Sequence, residues 1–85
     1  MRFYVYIIQS EFDGSYYIGS TNNLTDRIER HNQGRSKYTK PKRPWQLVYC
    51  EEFPSRSNAQ KRENEIKRRK SKDFIENLVE RSRHL

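Results

Sequence analysis

An unbroken run of β-branched and aromatic residues, Phe-Tyr-Val-Tyr-Ile-Ile at positions 3–8, constrains the fold most strongly. Such a run suits a strand that is covered on both faces better than one with a solvent-exposed face. The chain has only 85 residues, of which 34% are charged, so it can build one small core at most. We therefore predict a single domain over residues 1–80 that contains this strand, followed by a tail that frays over 81–85.

A turn signal follows the first strand, since Asp13-Gly14 precedes a second β-type segment at 15–20. This pattern predicts an antiparallel hairpin with a loop at 11–14. Leu24, Ile28 and His31 then share one face at helical spacing. We expect a helix over 24–33, capped by Asn22 or Asn23 and ended by Gly34 in a left-handed conformation.

The second half reads as one strand and two helices. Residues 45–53 predict a third strand that ends at Pro54. Ser57 and Gln60 form a capping-box pattern that opens a polar helix running to about Arg69. Ser71 can cap a last helix with an apolar stripe. The expected class is α+β, with element order β-β-α-β-α-α and helices flanking a small, mostly antiparallel three-stranded sheet.

Positive charge is concentrated in two segments of the chain. Lys and Arg number 18 against 11 Asp and Glu, a formal charge of +7. Residues 35–43 and 56–72 carry the surplus, which favours a polyanion, with nucleic acid the first candidate and an acidic membrane surface the second. A merely solvated surface is the alternative. The basic residues assigned to nucleic-acid binding are Arg35, Lys37, Lys40, Lys42, Arg43, Lys67, Arg68 and Arg69.

Several classes of protein are disfavoured. No apolar stretch approaches the roughly 20 residues of a membrane span, and the N-terminus lacks the h-region of a signal peptide. We expect a soluble, cytoplasmic protein without a membrane partner. Cys50 is the one cysteine, which excludes an internal disulfide framework and a multi-cysteine zinc site.

Glu63 does not fit an ordinary core. It lies four residues after Ala59 and three before Ile66, within the helix stripe that must face the sheet. An ionised carboxylate there needs a basic partner or a cation. A structural ion pair and a Mg²⁺ site, in which the ion keeps most of its waters and shares a substrate phosphate, both satisfy this requirement.

Arg27 and His31 are also one helical turn apart. They are either an exposed polar shoulder or a phosphate-binding pair, in which the guanidinium binds oxygens in a bidentate manner. Tyrosines on the paired strands at 4, 6, 16 and 17 can simply pack across the hairpin. Spacing alone does not decide which hydroxyls converge on the side of Arg27, His31 and Glu63.

The order of these residues resembles the GIY-YIG endonucleases, small metal-dependent nucleases named for two strand triplets. Tyr4-Val5-Tyr6 and Tyr17-Ile18-Gly19 correspond to the triplets, and the similarity continues through the Arg- and His-bearing helix to Ala59…Arg62-Glu63…Ile66-Lys67. It covers roughly residues 3–79 and follows the short stand-alone members of the family.

The resemblance implies a set of site residues and one divalent ion. Glu63 would be the metal ligand, Arg27 would bind phosphate, and Mg²⁺ or Mn²⁺ would be the single ion, with no small-molecule cofactor. The catalytic residues it implies are Tyr6, Tyr17, Arg27, His31, Tyr38 and Glu63. Two departures stand out: Tyr4 replaces the first glycine, and Ser20 stands where excision-repair relatives commonly have Lys. Some homing members also have a late Asn near the metal, for which Asn77 is the candidate in this sequence.

The activity this implies is metal-dependent hydrolysis of DNA phosphodiester bonds, with selectivity for DNA structure and a link to repair or recombination. RNA is also compatible with the pattern. The alternative is a non-catalytic nucleic-acid-binding module with a degraded nuclease site, in which Glu63 merely pairs with Arg27. The oligomeric state is left open.

Overall fold

The fold is a three-stranded antiparallel sheet with helices on both faces. The computed structural model describes residues 2–69 and 71–83. Its strands are β1 (Phe3–Ser10), β2 (Tyr16–Thr21) and β3 (Trp45–Phe53), and its helices are α1 (Leu24–Asn32), α2 (Arg56–Arg69) and α3 (Lys72–Arg83), with a short 3₁₀ turn at Lys40–Lys42. The order of elements and the α+β class agree with the sequence prediction.

The first strand occupies the centre of the sheet. The strand order is β2-β1-β3, and both neighbours of β1 are antiparallel to it. Val5, Tyr6, Ile7 and Ile8 are all buried, which confirms that this unbroken run is covered on both faces. Because both outer strands pair with β1, its backbone is hydrogen-bonded on both sides and holds its side chains in fixed positions.

Side chains of β1 alternate between two separate cores. Val5 and Ile7 pack with Ala59 and Ile66 of α2 and with the apolar stripe of α3. Tyr6 and Ile8 pack on the other face with Trp45, against Tyr17 and the apolar positions of α1. The sheet therefore separates an α1 face, which holds the strand tyrosines, from an α2–α3 face.

Local signals set most helix boundaries as predicted. The Asn23 side chain caps α1 by accepting from the Asp26 N–H, and Gly34 has a φ of +77° beyond its end. Gly34 N–H donates to His31 O and Arg35 N–H to Arg30 O, which is a Schellman motif. Ser71 Oγ accepts from Phe74 N–H at the start of α3.

The start of α2 differs from the prediction. The capping side chain is Ser55, whose Oγ accepts from the Asn58 N–H at 3.2 Å, and not Ser57. The helix begins at Arg56, so Ser57 lies inside its first turn and Gln60 lies in the second, and neither is at the capping position. At the other end of the chain, α3 continues through Arg83, beyond Arg81 where we expected fraying to begin, and residues 84–85 lie outside the described residues.

Candidate functional site

Two tyrosines, one from each strand triplet, share the α1 face of the sheet. Tyr6 pairs with Gly19, and Ile8 pairs with Tyr17, so both phenol rings lie on the same face. Their ring centroids are 6.4 Å apart. Tyr4 also lies on this face, whereas Tyr16 points to the other, so the register of the hairpin selects Tyr17 over Tyr16.

Gly19 makes the position of the Tyr6 ring possible. A Cβ at residue 19 would lie 2.5 Å from Tyr6 Oη and 2.7 Å from Cζ, which is far inside van der Waals contact. The phenol ring of Tyr6 therefore crosses directly over the backbone of the neighbouring strand. The glycine of the second triplet is required by this close approach.

His31 connects the buried tyrosine to the loop that follows α1. Tyr6 Oη lies 3.0 Å from His31 Nε2, and His31 Nδ1 lies 2.9 Å from Thr39 Oγ1. His31 and Thr39 are both buried, and the carbonyl of Thr39 accepts from the Trp45 indole N–H at 2.8 Å. Since a neutral imidazole has one N–H and one bare nitrogen, the chain of hydrogen bonds runs in a single direction through the ring.

The environment of these groups keeps both of them uncharged. Burial, and secondarily the nearby Tyr17, raises the pKa of Tyr6 well above its ordinary value of 10.0, although the Arg27 charge acts in the opposite direction. Burial also lowers the pKa of His31 from its ordinary 6.5, and Arg27 adds to this effect. A phenol and a neutral imidazole are therefore the forms present at neutral pH.

This arrangement predicts a pH dependence of stability. The pKa of His31 is lower in the folded protein than in the unfolded chain, so at pH values below about 6.5 the unfolded chain binds more protons and folding becomes less favourable. We expect the free energy of unfolding to fall between pH 7 and pH 5, by less than about 1.4 kcal/mol per pH unit, the limit for one proton. Urea denaturation at several pH values measures it.

His31→Gln is the matched variant, because an amide offers a donor and an acceptor but does not titrate in this range. Its free energy of unfolding will change less with pH than that of the wild type. Identical pH slopes for the two proteins would show that His31 is not the titrating group.

A cavity of about 240 Å³ opens beside the tyrosines. Tyr17, Arg27 and His31 line it together with Arg30, Arg35 and Ser36. The exposed Tyr38 contacts the Tyr17 ring, with centroids 5.8 Å apart. Three arginines thus line a space that the Tyr17 ring and the His31 imidazole also border, which is an environment suited to an anion.

Arg27 also borders a second, smaller cavity of about 100 Å³ at the end of β2. Ser20, Ala59 and Gln60 are among its lining residues. Arg27 Nε is buried and has no hydrogen-bond partner among the residues described. A buried N–H without a partner costs free energy, so Arg27, which borders both cavities, keeps a donor that no described group satisfies.

Glu63 lies on the opposite face of the sheet from the tyrosines. Ser20 pairs with Val5 and so faces α2, where its hydroxyl donates to Glu63 Oε1 at 2.6 Å. Glu63 Oε2 accepts from Lys67 Nζ, also at 2.6 Å. Glu63 is 7% exposed, so the prediction that this carboxylate faces inward is confirmed, and of the two partners considered, a basic residue or a cation, the structure shows the basic residue Lys67.

The carboxylate is nevertheless within electrostatic range of the other groups. Its charge contributes to raising the pKa of Tyr6, and its Ser20 partner borders the same small cavity as Arg27. The ion pair is with Lys67 and not with Arg27, so the Glu63–Arg27 pair expected of a degraded site is wrong. Arg27 and Glu63 both act on the Tyr6 hydroxyl electrostatically, with opposite effects on its pKa.

The two groups of basic residues lie apart. The basic loop, residues 35–43, is on the α1 face. Its Arg35 borders the first cavity, and a separate groove is bordered by Lys37, Lys40 and Arg43. Lys42 forms an ion pair with Asp13 at 3.5 Å. The other group is in the last turn of α2, where Lys67 binds Glu63. Arg69 lies over the Phe74 ring at 4.8 Å, and Arg68 is exposed.

Sequence reasoning missed Thr39 and the role of Ser20. Thr39 is fully buried and orients His31, but it lies in a loop without periodicity, so no spacing pattern identifies it. Ser20 was noted only for replacing a lysine, although its alternation with Gly19 places it opposite the tyrosines. Asn77 lies exposed on α3.

Two further properties concern metals and membranes. Within residues 2–69 and 71–83, no cluster of three or more His, Cys, Asp or Glu side chains is arranged to hold a metal ion. In the same ranges, none of the helices has the length and apolar character needed to span a bilayer.

Comparison with known proteins identifies relatives over most of the chain. A family model described as the GIY-YIG catalytic domain matches residues 2–77. A UPF0213 protein of Staphylococcus saprophyticus is 49% identical over 67 residues, which are 78% of this chain and 80% of the relative. Another, from Staphylococcus haemolyticus, is 51% identical over 67 residues with the same coverage.

A solved structure also resembles this one. It is the solution NMR structure of the UPF0213 protein BH0048 from Bacillus halodurans, which is 40% identical in sequence and superimposes with a TM-score of 0.59. The match covers 94% of this chain and 84% of the other. The sheet and helices described above are therefore shared with a protein whose fold was determined by experiment.

Proposed function

Because the chain belongs to the GIY-YIG family of nuclease domains, we propose that it is a metal-dependent endonuclease that hydrolyses phosphodiester bonds of DNA. The observation that carries this proposal is the position of Arg27. Its guanidinium borders both the cavity of Tyr17 and His31 and the cavity of Ser20, the partner of Glu63. One phosphate placed there meets groups from both faces of the sheet.

Arg27 binds the scissile phosphate in this proposal. Its buried Nε lacks a partner, and a nonbridging phosphate oxygen would supply the missing acceptor. Guanidinium groups bind phosphate with paired, charge-assisted hydrogen bonds. As negative charge develops on the phosphate oxygens, this fixed positive charge stabilises the transition state without further reorganisation.

Tyr17, and not Tyr6, is the tyrosine that meets the attacking water. Tyr6 is 1% exposed, and its hydroxyl is engaged by His31. Tyr17 borders the open cavity, where its oxygen, as a phenolate, would orient a water molecule and take its proton to become a phenol, with the Arg27 positive charge beside the reacting groups. Tyr6 is a positioning residue that fixes His31, and Tyr38 packs beside Tyr17 at the entrance.

Glu63 suits a single divalent cation, Mg²⁺ or Mn²⁺. Mg²⁺ in kinase and polymerase sites is held by one or two carboxylates plus substrate phosphates, and Glu63 already binds a cation in the form of the Lys67 ammonium. That ammonium is on a half-exposed side chain, which can turn into solvent. When bound, the metal ion supplies Lewis-acid stabilisation of charge on the phosphate and the leaving oxygen.

The basic loop extends the binding surface to flanking phosphates. Arg35 lies beside the first cavity, and Lys37, Lys40 and Arg43 continue along the loop. Contacts of this kind fix the position of a duplex but do not read its bases. We therefore propose that DNA shape selects the target, with branched or nicked DNA as substrate and repair or recombination as the setting.

Incubation of branched, nicked and intact duplex DNA with the protein tests the proposal. We expect cleavage of the branched or nicked substrate with Mg²⁺ or Mn²⁺ and none with EDTA, with products ending in 3′-hydroxyl groups. Substrates of matched sequence in RNA establish whether the sugar matters. Binding to DNA without cleavage under every metal condition would contradict the nuclease proposal.

That negative outcome would favour a nucleic-acid-binding module, in which the Lys67–Glu63 ion pair permanently replaces the metal. A salt titration of DNA binding shows whether the protein binds a polyanion at all, which both the nuclease and the binding module require. Contacts to several phosphates predict that log K falls with log salt by about 0.9 per phosphate on duplex DNA. A response near zero would remove the basis for a polyanionic substrate altogether.

A further inference from the structure

An aromatic side chain is exposed at the tip of the β1–β2 hairpin. Phe12 is 74% exposed, the largest value among the exposed large hydrophobic side chains of the described residues. A single exposed apolar residue is not unusual in itself. Its surroundings give it significance, because Phe12 borders a groove whose other wall is basic.

The groove has a volume of about 690 Å³, within the range of sites that hold small organic ligands. Phe12, Pro41 and Pro44 provide its apolar lining, and Lys37, Lys40 and Arg43 provide three positive charges. An apolar ring next to several cations matches the two parts of a nucleotide, which has a flat base and an anionic phosphate.

Hydrogen bonds join the hairpin tip to the basic loop. Ser10 Oγ donates to Lys42 O at 2.7 Å and accepts from the N–H groups of Phe12 at 3.0 Å and Asp13 at 3.2 Å. The Glu11 N–H donates to Pro44 O at 2.9 Å. Both walls of the groove are thereby fixed relative to each other before a ligand binds, which reduces the entropy cost of binding.

The guanidinium of Arg43 is also held in place. Its Nε donates to Lys40 O at 2.9 Å, and its end lies over Gly34, where a Cβ would be 2.9 Å from one of its terminal nitrogens. Gly34 has a positive φ and carries no side chain, so the guanidinium can lie flat against the turn. Arg43 therefore presents its remaining N–H groups from a defined position.

We propose that this groove binds an unpaired nucleotide of a single DNA strand, with its base stacked on Phe12 and its phosphates bound by Lys37, Lys40 and Arg43. The inference rests on the nucleic-acid substrate of the proposed function and makes that substrate more specific. Arg35 and Ser36 border the Tyr17 cavity, and the same loop continues directly into the groove. The preferred substrate then has a single-stranded segment next to the cleaved bond.

Binding of two DNA probes without any divalent metal tests the proposal. The probes are a fluorescent single-stranded oligothymidylate and a blunt duplex, measured by anisotropy at low salt. Phe12→Leu keeps an apolar side chain but removes the ring, so its affinity for the single strand should fall about tenfold, as expected for the loss of one base stack. Its affinity for the duplex should stay within twofold of the wild type.

Two other variants serve as controls. Phe12→Trp keeps a ring, so it should bind the single strand at least as tightly as the wild type. On binding the single strand, its tryptophan fluorescence should be quenched more than that of the wild type, whose one tryptophan is Trp45. Leu47→Ala removes another exposed apolar side chain, on β3 and outside the groove, and should leave both affinities unchanged. Equal melting temperatures show that the variants are folded.

The proposal is overturned if Phe12→Leu binds the single strand as well as the wild type, if both probes lose affinity equally, or if the wild type binds neither probe. These outcomes are independent of catalysis, because no metal is present. If DNA is cleaved equally well by wild type and Phe12→Leu, the nuclease proposal stands without the groove proposal. If Phe12 contributes to single-strand binding but no DNA is cleaved, the groove proposal stands without the nuclease proposal.

Discussion

Glu63→Gln is expected to lower metal-dependent DNA cleavage by at least about a hundredfold while leaving DNA binding nearly unchanged. Glutamine has almost the same shape and can still accept the Ser20 hydroxyl at the position where Oε1 now accepts it. It lacks the charge needed to hold a divalent ion, and loss of a charge-stabilising group at a reaction centre costs on the order of 10²–10³ in rate. Single-turnover cleavage and binding without metal measure the two effects.

Glu65→Gln provides the matched control on the same helix. Glu65 pairs with Arg62, which also pairs with Glu51. The Glu65→Gln substitution removes the same unit of negative charge as Glu63→Gln. Its cleavage rate should stay within a few fold of the wild type. If both variants cleave normally, or if both lose activity equally, Glu63 has no special role in catalysis.

Gly19→Ala is expected to destabilise the fold and to disrupt the tyrosine site together. The new methyl group would lie 2.5 Å from Tyr6 Oη, and the ring cannot move away freely because it is buried and bound to His31. Overpacking of this kind typically costs about 1–3 kcal/mol. For a domain of this size we expect the melting temperature to fall by roughly 5–20 °C.

A double-mutant cycle with Tyr6→Phe identifies the origin of that cost. Phenylalanine removes the hydroxyl, which is the atom nearest to the added methyl group, so Gly19→Ala should cost less in the Tyr6→Phe background than in the wild type. The remaining cost comes from the ring carbon at 2.7 Å. Additive effects in thermal denaturation would mean that Gly19 is not required by the Tyr6 ring.

The sequence carried enough information to single out Glu63, because a carboxylate at the spacing of Ala59 and Ile66 contradicts the helix pattern around it. The spacing is also compatible with the observed partner of Glu63, since Lys67 follows four residues later on the same helix. What spacing could not supply was the route from Glu63 to the tyrosines. Ser20 of β2 binds Glu63, and Arg27 of α1 borders the same small cavity as Ser20. This proximity depends on how α1 and α2 pack on opposite faces of the sheet.

The choice among the tyrosines shows a second limit. Alternation along β2 separates Tyr16 from Tyr17, but only the pairing of Tyr6 with Gly19 determines which one shares the face of Tyr6. The hydrogen-bonded chain of Tyr6, His31 and Thr39 is harder to predict from the sequence, because Thr39 lies in an irregular loop that brings it to His31. Strands and helix caps follow local rules, whereas this site depends on contacts between distant segments.

Opposite faces of one small sheet contribute to the proposed site, and this affects how the metal enters. Lys67 occupies one oxygen of Glu63 in the structure, so the divalent ion must compete with an intramolecular ammonium. In the proposed function, the phosphate bound by Arg27 would bring additional negative charge to the same region. We therefore infer that DNA and metal bind cooperatively, each favouring the other.

Paramagnetic broadening by Mn²⁺ in NMR spectra tests most directly whether Glu63 and Arg27 meet at one phosphate. The experiment uses the protein bound to a nicked duplex whose phosphorothioate linkages resist cleavage. Signals of the Ser20 and Glu63 amides and of the Arg27 Nε–H should broaden first, and Glu63→Gln should abolish that pattern. Broadening that spares Arg27, or that persists unchanged in Glu63→Gln, would contradict the shared metal–phosphate site.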